Sequence, residues 1–151
     1  MLRESLKHCQ MGRMQNVMDR VTKATRSKIM AAVHTRDTGA ERAVRSIVHR
    51  LGCRYSLKRT DLLGKPDLAF VSRQKLIFVH GCFWHGHSCR YGRLPKSRLD
   101  YWKRKIVANK TRDRKQVSRL RKTGWSVMIV WQCQLRRKSL LEERIRSFLD
   151  E

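Results

Sequence analysis

The chain is short of acidic residues and of long apolar runs, and each shortage excludes something. Nowhere in its 151 residues do apolar side chains continue for the roughly 20 positions that a membrane-spanning helix needs. The longest runs, Leu76–Val79 and Val127–Trp131, are strand-sized. The opening MLRESLKHCQ lacks the hydrophobic core of a secretory signal, which points to the cytoplasm. Asp and Glu number 12 against 36 Lys and Arg, leaving a net charge of +24 and a pI near 11.2. Such an excess repels itself unless a polyanion neutralises it, so nucleic acid is the expected partner and the nucleoid the expected place. Charge says nothing further, because attraction to phosphate is blind to both sequence and chemistry.

A hydrophobic content of 40% argues against disorder, and the length suits one domain with a core that needs no disulfides. In a reducing compartment the five cysteines are thiols or metal ligands. There is no internal repeat, and no heptad or exposed apolar stripe marks an obligate oligomer, so a monomer is expected. Residues 1–17 lack periodicity and read as a disordered extension, with Met11, Met14 and Met18 as alternative starts. Residues 18–151 form the expected domain.

A short basic helix is expected over Thr25–Val33. Thr38-Gly39-Ala40-Glu41 fits a capping box, and Ala40, Val44, Ile47, Val48 and Leu51 follow at helical spacing up to Gly52. Strands are expected at 54–57, 68–71 and 76–79, the last two joined as an antiparallel hairpin. A long basic helix over 98–122 has the stripe Leu99, Trp102, Ile106, Val117 and Leu120. Asn109 and Asp113 share that stripe, so they are either buried and paired or mark where the helix leaves the core. Strand 127–131 and a helix bearing Leu141, Ile145, Phe148 and Leu149 complete the order. Strand 76–79, helix 98–122 and strand 127–131 make a β-α-β unit, so both strands should be parallel and end on one sheet edge.

That edge brings distant chemistry together. Cys82 follows the first strand by three residues and Cys133 follows the second by two. With His87 and Cys89 they form three thiolates and one imidazole, a closed tetrahedral set of the structural Zn²⁺ type. His85 is an alternative ligand to His87, which is favoured by its place beside Cys89. The plainer alternative is that the cysteines are small buried hydrophobes.

Gly64-Lys65-Pro66-Asp67 leads into the first hairpin strand. A Pro-Asp there is the skeleton of PD-(D/E)xK nucleases, in which a carboxylate binds Mg²⁺; Asp67 as a turn residue is the alternative. Where an acid-x-Lys is expected, the chain reads Phe78-Val79-His80. Histidines are able to fill that gap, since an imidazole accepts or donates protons near neutral pH. His80 and His85 bracket Cys82. Zinc held by four protein ligands has no open position and acts as scaffold.

At this point the chain resembles a known family. Thr25-Arg26-Ser27-Lys28-Ile29-Met30, Thr35-Arg36-Asp37-Thr38 with Glu41, Gly64-Lys65-Pro66-Asp67, and Phe78 to Cys89 are similar to the very-short-patch repair (Vsr) endonucleases. So are Trp102, Lys105-Ile106, Asn109, Arg112-Asp113, Gly124-Trp125 and Val130-Trp131-Gln132-Cys133. The resemblance covers Thr25–Leu149. It implies an α/β, restriction-endonuclease-like (PD-(D/E)xK-type) core, with a mixed central sheet flanked by helices and a structural zinc site. It implies nicking 5′ of the thymine in a T·G mismatch, starting repair of deaminated 5-methylcytosine, with an accessory mismatch-repair protein as a further expected partner.

The same resemblance implies Asp67 and the main-chain carbonyl of Val79 as Mg²⁺ ligands, and His85 as general acid or base. Glu41 and His80 would organise metal-bound water, although the capping box already accounts for Glu41. Phe83 and Trp84 are implied as wedges between base steps, where unstacking beside a mispair costs least. Trp102 and Met30 are implied as further wedges, each with core packing as the alternative. Competing readings are a zinc-braced sequence-specific DNA-binding module and a restriction-like nuclease acting on undamaged DNA.

Overall fold

Thr38 starts the first described helix, α1 (Gly39–Arg50), much as its sequence predicts. Its hydroxyl accepts from the Glu41 N–H at 3.2 Å, and the Glu41 carboxylate returns to the Thr38 hydroxyl at 3.0 Å and the Asp37 N–H at 2.9 Å. The return bond of the box thus lands one residue early. The computed structural model describes residues 37–57 and 59–151, with Thr22 and Thr25. The extension 1–17, Met30 and the helix expected over 25–33, Thr25 apart, lie outside the described residues.

The hairpin and the β-α-β unit form as expected. β1 (Leu68–Phe70) pairs antiparallel with β2 (Lys75–His80), and β2 pairs parallel with β3 (Ser126–Trp131) from Lys75↔Ser126 to His80↔Trp131. The result is a mixed three-stranded sheet with β2 in the centre. The strand expected at 54–57 shrinks to one bridge, Ser56↔Ala69. Val71 leaves β1 for a 3₁₀ turn closed by Gln74 at φ 50°, which moves Lys75 into β2.

The alternation of β2 assigns its two faces. Ile77 points with Val44, Ile47, Val48 and Val130 toward Ile145 and Leu149 of α3 (Lys138–Asp150), so α1 and α3 cover one face. Leu76 and Phe78 point with Ala69 and Val127 toward Leu120 of α2 (Leu99–Lys122) on the other. At 24 residues α2 is about 36 Å long against about 20 Å for a six-residue strand. It therefore overhangs the sheet, and its first turns pack on the loop after β2. Among the described residues no helix is long and apolar enough to cross a membrane.

Lys75 is buried, and its Nζ donates to the carbonyls of Phe148 at 2.7 Å and Leu149 at 3.3 Å in the last turn of α3. A cation there also suits the negative end of the helix dipole. Lys75→Met strands those acceptors, so we expect a loss of ~1–2 kcal/mol and a thermal midpoint lower by several degrees. An unchanged midpoint in a thermal melt would show that the cap contributes nothing.

Candidate active site and metal centre

The chemistry-bearing residues gather where β2 and β3 end. Val79 and His80, adjacent on β2, each hold one half of it. The Val79 N–H donates to Asp67 Oδ2 at 2.7 Å, while the His80 ring stacks on His85 at 3.8 Å between centroids and 12° between planes.

Asp67 lies in a cavity of about 370 Å³ that Glu41, Arg45, Lys65 and Pro66 also line. Burial pushes its carboxyl up to about 6; the Val79 N–H opposes this, the nearby Glu41 charge adds to it, and Arg45 opposes it. Glu41 accepts two cap bonds and one from Arg45 at 3.1 Å, so its cap role is complete while its carboxylate still faces the same cavity as Asp67.

The histidines line a separate groove of about 790 Å³ with Lys110, Arg114, Arg121 and Lys122. His80 is 7% exposed, and Trp131 meets it edge-on at 5.4 Å. Burial, then the neighbouring His85, lower its pKa to about 4, which leaves it uncharged at neutral pH. His85 is more open, and its Nδ1 meets Asp113 Oδ2 at 2.6 Å. A carboxylate on Nδ1 selects the tautomer with the proton there and leaves Nε2 free to accept one. Arg112 holds the other Asp113 oxygen at 3.1 Å. Glu41 lines the Asp67 cavity and His80 the histidine groove.

The ligand atoms of Cys82, His87, Cys89 and Cys133 all lie within 4.8 Å of one another. His85 instead groups with His80 and Asp113, so geometry selects His87 for the cluster. The cluster passes the test of its own chemistry. Burial drives the Cys82 thiol up to about 12, whereas the bond to His87 brings Cys89 down to about 6. Three sulfurs packed on one imidazole cannot all ionise unless a cation joins them, and a soft divalent ion fits this donor set.

Phe83, Trp84 and Trp102 form a half-buried aromatic trio. Phe83 meets both indoles at 5.0 Å, and the indoles lie 6.0 Å apart. Trp102 therefore packs against the loop, not in the core between α2 and the sheet. Asn109, buried on α2, anchors the loop by donating to the Trp84 carbonyl at 2.9 Å. Gly86, at φ 62°, leaves no room for a Cβ, which would sit 2.5 Å from Ile106 Cγ2. Asn109 and Asp113 are thus buried or half-buried and paired; polar groups on an apolar stripe were the available signal. Trp131, stacked on His87 at 4.3 Å, was marked only by its place in the run Val130–Cys133.

A model of the family described as DNA mismatch endonuclease Vsr matches residues 18–91. A type II nicking enzyme of Xanthomonas oryzae pv. oryzae, V.XorIIP, is 51% identical over 132 residues, which are 87% of this chain and 97% of that protein. The chain belongs to the Vsr DNA mismatch endonuclease family. The DNA mismatch endonuclease Vsr of Escherichia coli is 42% identical over 130 residues, covering 85% of this chain and 83% of that one. The Vsr-family chain is therefore a DNA endonuclease, a hydrolase with DNA as its partner. Among solved structures, the catalytic domain of the homing endonuclease I-Bth0305I covers 74% of this chain and 94% of its own at a TM-score of 0.49 and 16% identity.

Proposed function

We propose that this endonuclease nicks one strand of duplex DNA 5′ of the thymine in a T·G mismatch, the step that starts repair of deaminated 5-methylcytosine. One observation carries the reading: the loop after β2 carries Phe83 and Trp84, packed on Trp102 of α2, and in the next position His85, paired with Asp113 of the same helix. The rings enter the base stack where a mispair has weakened it. The adjacent imidazole then meets the phosphate, and Met30 serves as a further wedge from the N-terminal segment.

Asp67 and the main-chain carbonyl of Val79 would hold Mg²⁺, which when bound activates water and offsets charge on the scissile phosphate. Glu41 orders water in the Asp67 cavity. His85 Nε2 takes a proton from the attacking water or gives one to the leaving oxygen. Asp113 keeps the other ring nitrogen protonated and stabilises the imidazolium that forms. His80, buried and uncharged, backs the His85 ring. Zinc on Cys82, His87, Cys89 and Cys133 braces the loop. We read the sheet as a restriction-endonuclease-like core in which histidines replace acid-x-Lys. In this reading residues 18–151 act as one domain and as a monomer in the cytoplasm, on nucleoid DNA, with an accessory mismatch-repair protein as a second partner.

The test is nicking of matched duplexes that carry T·G or C·G at one position, with Mg²⁺ or with EDTA. Cutting of the T·G strand alone, and only with Mg²⁺, is expected. Equal cutting of both duplexes would assign a nickase of undamaged DNA. Binding without cutting would leave only a zinc-braced module.

A further inference from the structure

Three arginines stand outside the site just described. Arg90 follows Cys89 in a short 3₁₀ turn, and Arg136 ends the turn that begins after β3. Both donate to one acceptor, the hydroxyl of Tyr91, Arg90 at 2.6 Å and Arg136 by a short bond. Their guanidinium carbons also stand 4.7 Å and 6.0 Å from the Tyr91 ring centroid. A cavity of about 350 Å³ opens there, lined by these residues with Cys133, Gln134 and Arg137.

An anion would complete this arrangement. Two guanidinium groups converge on one hydroxyl oxygen, and the lining contains three arginines and no carboxylate. Tyr91 is 45% exposed, so packing does not require it there. What the hydroxyl does is hold two planar forks toward one point, with N–H groups to spare. A guanidinium fork matches the two unesterified oxygens of a phosphate.

We infer that Arg90 and Arg136, aligned by Tyr91, form a clamp for a DNA backbone phosphate beside Cys133 of the Cys/His cluster. The cluster serves two surfaces: His87 lines the histidine groove and Cys133 lines the clamp. Duplex held at both places is gripped across the loop that carries the aromatic rings. The clamp touches phosphate and not bases, so it sets affinity and register while mismatch choice and chemistry stay elsewhere. It rests on the endonuclease assignment but not on T·G specificity.

The test measures affinity for a T·G duplex and for the fully paired duplex across a salt series without added magnesium. The Arg90→Ala/Arg136→Ala variant should lower the slope of log Kd against log salt by about 1. Both duplexes should weaken by the same factor. Tyr91→Phe keeps both charges but frees the forks, and should weaken binding less, with the slope closer to wild type. An unchanged slope with metal content retained overturns the clamp, as does a loss confined to the mismatched duplex. Should the double variant lose its metal, Arg136→Ala alone decides by the same slope. Nicking that proves indifferent to the mismatch refutes the proposed function and leaves this binding result standing.

Discussion

Asp67→Asn is expected to abolish nicking while stabilising the magnesium-free protein at neutral pH. The nicking rate should fall at least about a thousandfold, the equivalent of ~4 kcal/mol of transition-state stabilisation, since amide oxygen replaces carboxylate at the proposed Mg²⁺ ligand. The opposite effect on stability comes from burial. The folded pKa of about 6 lies above the reference value of 3.8, so the folded state holds this proton more tightly than the unfolded chain. The stabilisation is complete below about pH 4 and is lost as the pH climbs through 6. Above that, an ionised Asp67 costs up to ~3 kcal/mol, which Asn does not incur. Melts of the two proteins should differ by several degrees at pH 7.5 and converge as the pH falls toward 4. A variant that still nicks would remove Asp67 from the active site, and one that melts earlier at pH 7.5 would refute the account of its burial.

The second large effect is expected from Cys133→Ala. Its thiol is delivered by β3 to a cluster whose other three ligands follow β2, so it ties the ends of two parallel strands together. Structural zinc, the ion proposed for this cluster, supplies ~10–16 kcal/mol of apparent binding energy in such sites, comparable to the ~5–15 kcal/mol by which whole domains are stable. Cys133→Ala should therefore lower bound zinc from one equivalent to none and lower the melting midpoint by more than about 10 °C. Removing zinc from the wild type under reducing conditions should give the same melt. Cys53, half-buried beside the α1–α3 core and outside the cluster, is the control: Cys53→Ala should keep its zinc. Metal emission spectroscopy beside a thermal melt reads both quantities. A Cys133 variant that keeps its full zinc would take this residue out of the ligand set.

Local pattern and chain topology were legible without coordinates. Thr38 and Glu41 announced the start of α1 because a cap depends on residues three apart. Cys133 was placed beside Cys82 because a β-α-β crossover leaves the two strands parallel. The strand expected at 54–57 was overestimated: Ser56 finds a backbone partner in Ala69, but the residues beside it extend no ladder.

The sequence by itself thus determined the order of the described strands and helices, the parallel pairing and the family. Only tertiary structure decided how the chemistry-bearing side chains are shared out. It put His87 with the three cysteines and His85 on Asp113, 28 positions along the chain. It drew Arg90 and Arg136 onto one tyrosine. The physical reason is one of range. Periodicity, capping and crossover handedness are local or topological. Which imidazole nitrogen meets which carboxylate depends on ångström-scale offsets between α2, the loop and the sheet, set by packing and by no spacing in the chain.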